Sequence, residues 1–594
     1  MTKVFVEPIG VTVEIGDGET LLAVVTSGAV DVPVDCAGRG TCGKCLVRTG
    51  AGSFSAPTEI ERGKVPASRL AQGWRLACQT TPLSERVSIE VRATQGRRQI
   101  LTTSRLHPGE PRPAVTREVV TLEPPTLADA RADRERLLVA LGADDVPLGV
   151  TRTLPATLRE GGYRAVVTRY EGRPIDVETA DVDGPAFGAA VDVGTSKIIA
   201  YLFDLESGRQ IDQEALENPQ MRFGEDVVTR LTQAIHEGRL DDLRRAARGG
   251  INTLLAALCT RQGLAPRHLY DMTVVGNTAM HHLALGLSAV GLGAAPFAPA
   301  TAAPLTLRAA DLGFAMNPDG GVHLPPPIAG FVGSDCLAVI AATRLAQSPT
   351  PRLAIDIGTN TEIALVHDGR VIVTSCASGP AFEGYQISCG MKAAEGAIER
   401  VALERDGEPR ELRTIGGREP LGICGSGVVD LLAGLVAAGV VDSSGRLQPH
   451  ARVRSSDSGP GLEYLLATGP QGDIVFTQHD VRSLQLAKAA IASGARLLLA
   501  HAGLEPGQID QVLVAGAFGN ELDVDNALAI GLLPDVPRER IAFVGNAAGV
   551  GAQMALIDIE ERRAMAELAG RIEFLDLATD RQFHEVFTGE LGFS

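Results

Sequence analysis

Four cysteines near the start of the chain have the spacing of a metal site. Cys36, Cys42 and Cys45 follow C-x5-C-x2-C in DCAGRGTCGKC, and Cys78 follows alone in RLACQT. Thiolates in such patterns hold zinc or an iron–sulfur cluster. Gly38, Gly40 and Gly43 let the intervening backbone bend tightly and aim N–H groups at sulfur. Further along, two aspartates recur in matched settings. AVDVGTSKIIAYLFDL (190–205) and LAIDIGTNTEIALVHDG (353–369) each run from an apolar strand through Asp-x-Gly-Thr into a second apolar strand. An Asp at such a bend can hold a hydrated Mg²⁺, while the free N–H groups beside it hold phosphate oxygens.

Zinc sites usually come as two C-x2-4-C knuckles. Here one C-x2-C is present and the fourth cysteine is isolated. The plant-type [2Fe–2S] pattern is C-x4-C-x2-C with a distant fourth cysteine. This chain carries one more residue in the first gap, as in adrenodoxin-like and bacterial variants. A [2Fe–2S] cluster on Cys36, Cys42, Cys45 and Cys78 is therefore the expectation. The same stretch nearly matches the phosphate-binding pattern G-x-x-x-x-G-K-[ST]. Cys45 stands where the Mg²⁺-binding hydroxyl would be, and no helix-forming run follows.

The two Asp motifs in matched surroundings imply a duplicated fold with a nucleotide between the copies. A second pair agrees: VVGNTAMHHL (274–283) and VGNAAGVGAQMAL (544–556) each read as strand, Gly-Asn turn and helix. QVLVAGAFGN (511–520) is a strand entering a small-residue turn, where a purine can approach the backbone closely. The set resembles the superfamily of acetate and sugar kinases, heat-shock proteins and actin. The resemblance assigns Asp192, Gly194 and Thr195 to the first phosphate loop. Asp356, Gly358, Thr359 and Asn360 fall in the second. Ala515, Gly516, Ala517, Phe518 and Gly519 fall in the adenosine motif, where Ala517 departs from the usual A-G-G.

These motifs require an α/β multidomain protein. Residues 1–93 read as a β-grasp ferredoxin. Val4 and Val6, then Val11, Val13 and Ile15, alternate around a Pro8–Gly10 turn; Thr20 can cap a short helix; Val87–Val91 closes the sheet. Residues 94–116, with three prolines between His107 and Ala114, read as a linker or an ordered connector. Residues 117–186 read as a small α/β unit with two strands and two helices, structural or oligomerising. Residues 187–594 form the nucleotide-binding domain, with lobes over about 187–350 and 351–594.

The bulk numbers bound the function class. With 594 residues, several domains are expected. A net charge of −17 argues against nucleic acid or an anionic membrane as the main partner. The first residues alternate like a strand and lack a signal peptide's apolar core. The longest apolar stretch, Val428 to Val441, is too short to span a bilayer and contains Asp430. A cytoplasmic location is expected, and the nine cysteines are then no disulfide framework.

Five segments go beyond a generic kinase: NPQMRFGEDVVTRL (218–231), PPPIAGFVGSDCLA (325–338), SGPAFEGYQISCGMKAAEGAIERV (378–401), GICGSGVVDLLA (422–433) and TQHDVRSLQLAKAAIASGARLLL (477–499). With the cysteine-bearing N-terminus, the chain resembles the reductive activators of corrinoid enzymes, in the subgroup with an N-terminal [2Fe–2S] domain. The resemblance implies ATP-dependent return of one electron to an inactive Co(II) corrinoid methyl-transfer protein, restoring Co(I). It implies a [2Fe–2S] cluster, ATP and Mg²⁺ as cofactors, a corrinoid partner, an upstream electron donor and a possible homodimer. Asp192 and Asp356 would organise Mg²⁺ and phosphate, and Gly516 and Gly519 would admit adenosine. Glu383 would either position a water or cap its turn. Cys259, Cys336, Cys376, Cys389 and Cys424 read as packing residues, and His281 and His282 as structural rather than cobalt ligands. Two other readings stay open: a low-potential donor to a different enzyme such as a dehydratase, and a nucleotide-tuned docking module that does not hydrolyse ATP.

Overall fold

The structure is a computed structural model. It describes every residue except 8–9, 26–31, 33–37, 41–42, 44, 92–105, 107–108, 181–183, 385, 457–460, 517–521 and 594. Alternating valines at the N-terminus bury one face of the strand Thr2–Glu7. That strand pairs antiparallel with Val11–Ile15 and parallel with Arg86–Glu90. Leu46–Thr49 and Trp74–Leu76 complete a five-stranded sheet, and the helix Leu22–Val25 packs beside it. The sheet carries the chain directly to Cys45 and Cys78 at its edge.

A buried ion pair stiffens that edge. Glu61 is fully buried and takes two hydrogen bonds from the Arg75 guanidinium at 2.8 Å. The Leu76 N–H also donates to Glu61. Glu61 closes a capping box with Thr58, which starts the helix Glu59–Lys64. One carboxylate thus joins this helix to the strand that leads into Cys78.

The described end of the proline-bearing segment does not hang free. Arg112 exchanges backbone hydrogen bonds with Ile557 and Ile559, and its guanidinium pairs with Asp558 at 2.5 Å. The chain then enters a three-stranded antiparallel sheet of Val115–Thr121, Arg164–Tyr170 and Arg173–Thr179, with the helices Asp133–Leu141 and Leu148–Glu160. The strand Arg173–Thr179 has no counterpart in the sequence reading, because Pro174 and Asp176 interrupt its apolar pattern.

The remaining residues build two six-stranded sheets with the same plan. In the first, the order is Arg209–Glu217, Lys197–Asp204, Phe187–Val193, Leu269–Gly276, Gly321–Leu324 and Leu305–Arg308. In the second it is Ile541–Gly545, Gln511–Gly516, Arg352–Ile357, Thr361–His367, Arg370–Cys376 and Glu573–Phe574. In each, the Asp-bearing strand hairpins with its successor and runs parallel to a later strand. Duplication places the two Asp bends at equivalent positions facing one another.

The helices Ser334–Ala342 and Ala547–Ile557 join the lobes. Both are buried almost all round, as their small apolar residues require. They cross so closely that a Cβ on Gly551 would lie 2.3 Å from the Ala338 carbonyl oxygen. The second lobe also carries two three-stranded sheets and the long helix Gln478–His501, whose start is capped by Thr477 and Asp480. Among the described residues, no helix is long and apolar enough to cross a membrane.

Candidate functional site

Two sites emerge, one at the ferredoxin edge and one between the lobes. At the edge, Cys45 and Cys78 are both buried, with their sulfurs 3.4 Å apart. Two sulfurs on one tetrahedral metal, each about 2.3 Å from it, lie about 3.8 Å apart. The pair therefore fits a shared iron with little movement. The Cys45 thiol, as hydrogen-bond donor, is the largest influence drawing the Cys78 thiol down to about 7, against the opposing effect of burial. Thiolate is the form that binds metal. Gly38 and Gly40 hold φ of +85° and +75°, and a Cβ on Gly38 would strike Leu22 at 2.5 Å. Cys36 and Cys42 lie outside the described residues.

The second site is a cleft lined by both Asp bends. It unites Asp192, Gly194, Thr195, Asp356, Gly358, Thr359, Asn360, Glu383 and Gly516, residues drawn from four separate stretches of sequence. Phe518 and Gly519 lie outside the described residues. Gly516 holds φ of +100°, and a Cβ there would sit 2.3 Å from the Ile357 carbonyl oxygen. Only glycine fits, so the strand Gln511–Gly516 lies hard against the second Asp bend.

Each first-lobe loop residue is held from behind. Asn277 and Asn546 cap their helices through Oδ1. Their Nδ2 groups turn inward, Asn277 donating to Thr195 Oγ1 at 3.1 Å and Asn546 to Asp192 Oδ2 at 3.3 Å. Asn218 donates to the Gly194 carbonyl at 2.8 Å, and the buried Arg230 donates to the Thr195 carbonyl at 2.6 Å. In the second loop, Thr359 Oγ1 donates to Glu383 Oε1 at 2.7 Å.

The cleft is strongly acidic. Burial pushes Asp192 up to about 6 and Asp356 up to about 7, the latter also facing the Asp192 charge. Asp335, in the first turn of the lobe-joining helix, is pushed up to about 7 by burial, with Asp192 and Asp356 adding to it. Burial likewise raises Glu362 well above the usual carboxylate range. Carboxylates so desolvated ask for a cation. Among the described residues, no three His, Cys, Asp or Glu side chains converge tightly enough to hold a metal alone. Mg²⁺ suits this arrangement, because it binds through one or two carboxylates, waters and substrate phosphates.

Comparison with known proteins decides the family. Over 571 residues the chain is 32% identical to a protein of Eubacterium limosum described as "Corrinoid activation enzyme RamQ", covering 93% of this chain and 92% of that one. The chain belongs to the reductive activators of corrinoid enzymes. A solved family structure, "Reductive activator for corrinoid, iron–sulfur protein", superposes with a TM-score of 0.75 at 33% identity, covering 100% of this chain and 98% of that one. A Methanosarcina barkeri protein, "[Co(II) methylated amine-specific corrinoid protein] reductase", is 28% identical over 294 residues, 46% of this chain and 51% of that one. Family profiles match in series: a 2Fe-2S iron-sulfur cluster binding domain over 4–83, the RACo linker region over 104–184, the RACo middle region over 187–348, and the C-terminal ASKHA domain of RACo over 350–594. This activator therefore joins a [2Fe–2S] ferredoxin domain to a nucleotide-binding ASKHA domain.

Several residues of the activator's cleft escaped sequence reasoning. Asp335 and Glu362 lie inside the segments 325–338 and 353–369, but neither was given a role there; tertiary packing brings them to the cleft. Asn277 and Asn546 were visible as turn residues, but not their inward reach. Asn218 and Arg230 fall in a segment that marks the family without announcing a role. Cys259, Cys336, Cys376 and Cys424 are buried, as packing residues should be. His281 and His282 are buried too, and the His282 ring bonds the Thr278 carbonyl and the Ala300 N–H.

Proposed function

We propose that this activator uses ATP to return one electron to the Co(II) form of a corrinoid methyl-transfer protein, restoring Co(I). The observation that supports it most is the meeting of two buried Asp loops in one acidic cleft, in a chain that also carries a close buried thiol pair.

In this reading residues 1–93 hold the cluster on Cys36, Cys42, Cys45 and Cys78. Residues 94–116 and 117–186 connect it to the nucleotide-binding residues 187–594. When bound, the cluster supplies a one-electron carrier near about −400 mV if it behaves as plant-type centres do. Each ~59 mV of a one-electron gap corresponds to about 1.4 kcal/mol. A target of lower potential is therefore reached only if other free energy contributes.

Asp192 and Asp356 are the Mg²⁺-facing carboxylates, which explains why both are tolerated in a desolvated cleft. Thr195, Thr359, Gly194, Gly358 and Asn360 present hydroxyl and backbone groups to phosphate oxygens. Gly516, with Phe518 and Gly519 following, forms the floor for adenosine. Glu383, which accepts a hydrogen bond from Thr359, is assigned in this reading to orient a water toward the terminal phosphate. Because the two loops belong to different lobes, nucleotide bound between them biases the lobes' relative position, and a partner that prefers one position is gripped or released accordingly. An upstream donor recharges the ferredoxin domain.

The test is direct. Reduced activator mixed with a Co(II) corrinoid protein should consume the Co(II) EPR signal when Mg·ATP is present, with phosphate released in the same mixture. Loss of the Co(II) signal with equal extent in the absence of nucleotide would refute the proposal.

A further inference from the structure

Behind the thiol pair, one neutral side chain is aimed at a ligand sulfur. Gln79 directly follows Cys78, and its Nε2 lies 3.7 Å from Cys78 Sγ, within N–H···S hydrogen-bond reach. The amide's orientation is set from its other end. Thr58 Oγ1 donates to Gln79 Oε1 at 3.4 Å, which leaves the NH₂ end for sulfur. Thr58 is itself fixed, because it caps the helix Glu59–Lys64 and shares a capping box with the buried Glu61. Glu61 in turn clamps Arg75 and the Leu76 N–H, at the start of the 3-10 turn Ala77–Gln79 that carries both Cys78 and Gln79. The Gln79 amide also packs against Gly40 of the cysteine loop, where a Cβ would meet Nε2 at 3.0 Å. A helix cap, a buried ion pair and a glycine together hold this amide pointing at sulfur.

We infer that Gln79 is a positioning residue that sets the reduction potential of the cluster by donating a hydrogen bond to the Cys78 thiolate, with Thr58 fixing its direction. The inference rests on the cluster reading of the four cysteines. Reduction adds one electron and one unit of negative charge to a thiolate-held cluster. A donor to sulfur favours that more negative state, so it raises the potential. Gln79 thus makes the centre easier to recharge and a weaker reductant than it would otherwise be. In a protein whose target is harder to reduce than its own centre, this fixes how much of the gap the nucleotide domain must cover.

The experiment uses the full-length protein with its cluster, purified anaerobically. Gln79→Met keeps length and neutrality and removes the N–H. The expected result is unchanged cluster content, a midpoint potential shifted negative in voltammetry, and loss of the deuterium-sensitive component of the iron–thiolate Raman bands. Thr58→Gly, a substitution that N-caps tolerate, should shift the potential in the same direction by a smaller amount; it decides the matter if Gln79→Met does not assemble. Gln79→His, which restores an N–H donor, should recover part of the shift. An intact cluster with unchanged potential in both Gln79→Met and Thr58→Gly overturns the role of Gln79 alone. A wild-type protein without iron–sulfur absorption overturns the cluster reading and this inference with it.

Discussion

The Ser196 and Thr359 hydroxyls lie 3.2 Å apart, one from each lobe, so the two Asp-bearing loops meet through a buried hydrogen bond. Thr359 also donates to Glu383, so this one side chain couples the first loop to the second and to the proposed water-orienting carboxylate. Removing it should loosen all three. Thr359→Ala is expected to weaken Mg·ATP-analogue binding about tenfold, the equivalent of about 1.4 kcal/mol and typical of a lost hydrogen bond to a charged group. Ser196→Ala should weaken it less. Titration calorimetry with a non-hydrolysable analogue measures both.

Asp335 gives a pH-dependent prediction with a definite sign. Its folded-state pKa, raised to about 7 by burial and then by the Asp192 and Asp356 charges, lies above the ordinary 3.8. The native state therefore takes up a proton that the unfolded state lacks between about pH 7 and pH 4, and the stability contribution falls as pH rises through that window. Above pH 7 the folded protein carries the full penalty, on the order of a few kcal/mol. Asp335→Asn should raise the melting temperature of the nucleotide-free protein at pH 8 by roughly 3 °C or more. The gain should nearly vanish at pH 5. Calorimetric scans at the two pH values check this, and an equal gain at both would contradict the assignment.

Arg562 ties three parts of the molecule together. It is buried on the helix Ile559–Ala569, pairs with the fully buried Asp271 of the first lobe, and donates to Tyr170 OH of the 115–179 sheet at 2.8 Å. Breaking such a pair leaves Asp271 charged and alone. Arg562→Ala should destabilise the nucleotide-binding transition by about 3–5 kcal/mol. Replacing both partners with apolar residues should cost less. Comparing Arg562→Met alone with the double variant Arg562→Met/Asp271→Leu by calorimetry separates the lost pair from the stranded charge.

How much of this was legible beforehand follows from which physical signals are local. The cysteine spacing and the paired Asp-x-Gly-Thr bends lie within short stretches, so the sequence alone exposed the two chemistries. The strands Leu269–Gly276 and Ile541–Gly545, each running into an Asn-capped helix, were equally readable, since strand, turn and helix signals sit side by side. Asp335 was not, because one Asp opening an apolar helix looks like any first-turn acid; its meaning comes from the crossing of Ser334–Ala342 with Ala547–Ile557. Asp176 and Glu178 gave no sign either. They tie the 115–179 sheet to the first lobe through Tyr270 OH, at 3.0 and 3.3 Å, across more than ninety residues of chain. Long-range polar pairs of this kind leave no periodicity to read.

The two sites should be separable. Cys45→Ser and Cys78→Ser each remove one thiolate from the close pair, and either should abolish the iron–sulfur absorption. Neither residue touches the cleft, so nucleotide affinity should stay within about twofold of wild type. Visible spectroscopy and calorimetry on the same preparations read both outcomes.

Nucleotide bound between the lobes is proposed to drive an electron transfer the ferredoxin domain cannot complete alone. Anaerobic stopped-flow mixing of the reduced activator with a Co(II) corrinoid protein tests it most directly, with and without Mg·ATP, in wild type and in Asp356→Asn. Wild type with Mg·ATP should develop the Co(I) absorption. Omitting nucleotide, or substituting Asp356, should cut the rate at least tenfold and lower the final extent. Co(I) formed at the same rate and to the same extent in all four mixtures would contradict the account.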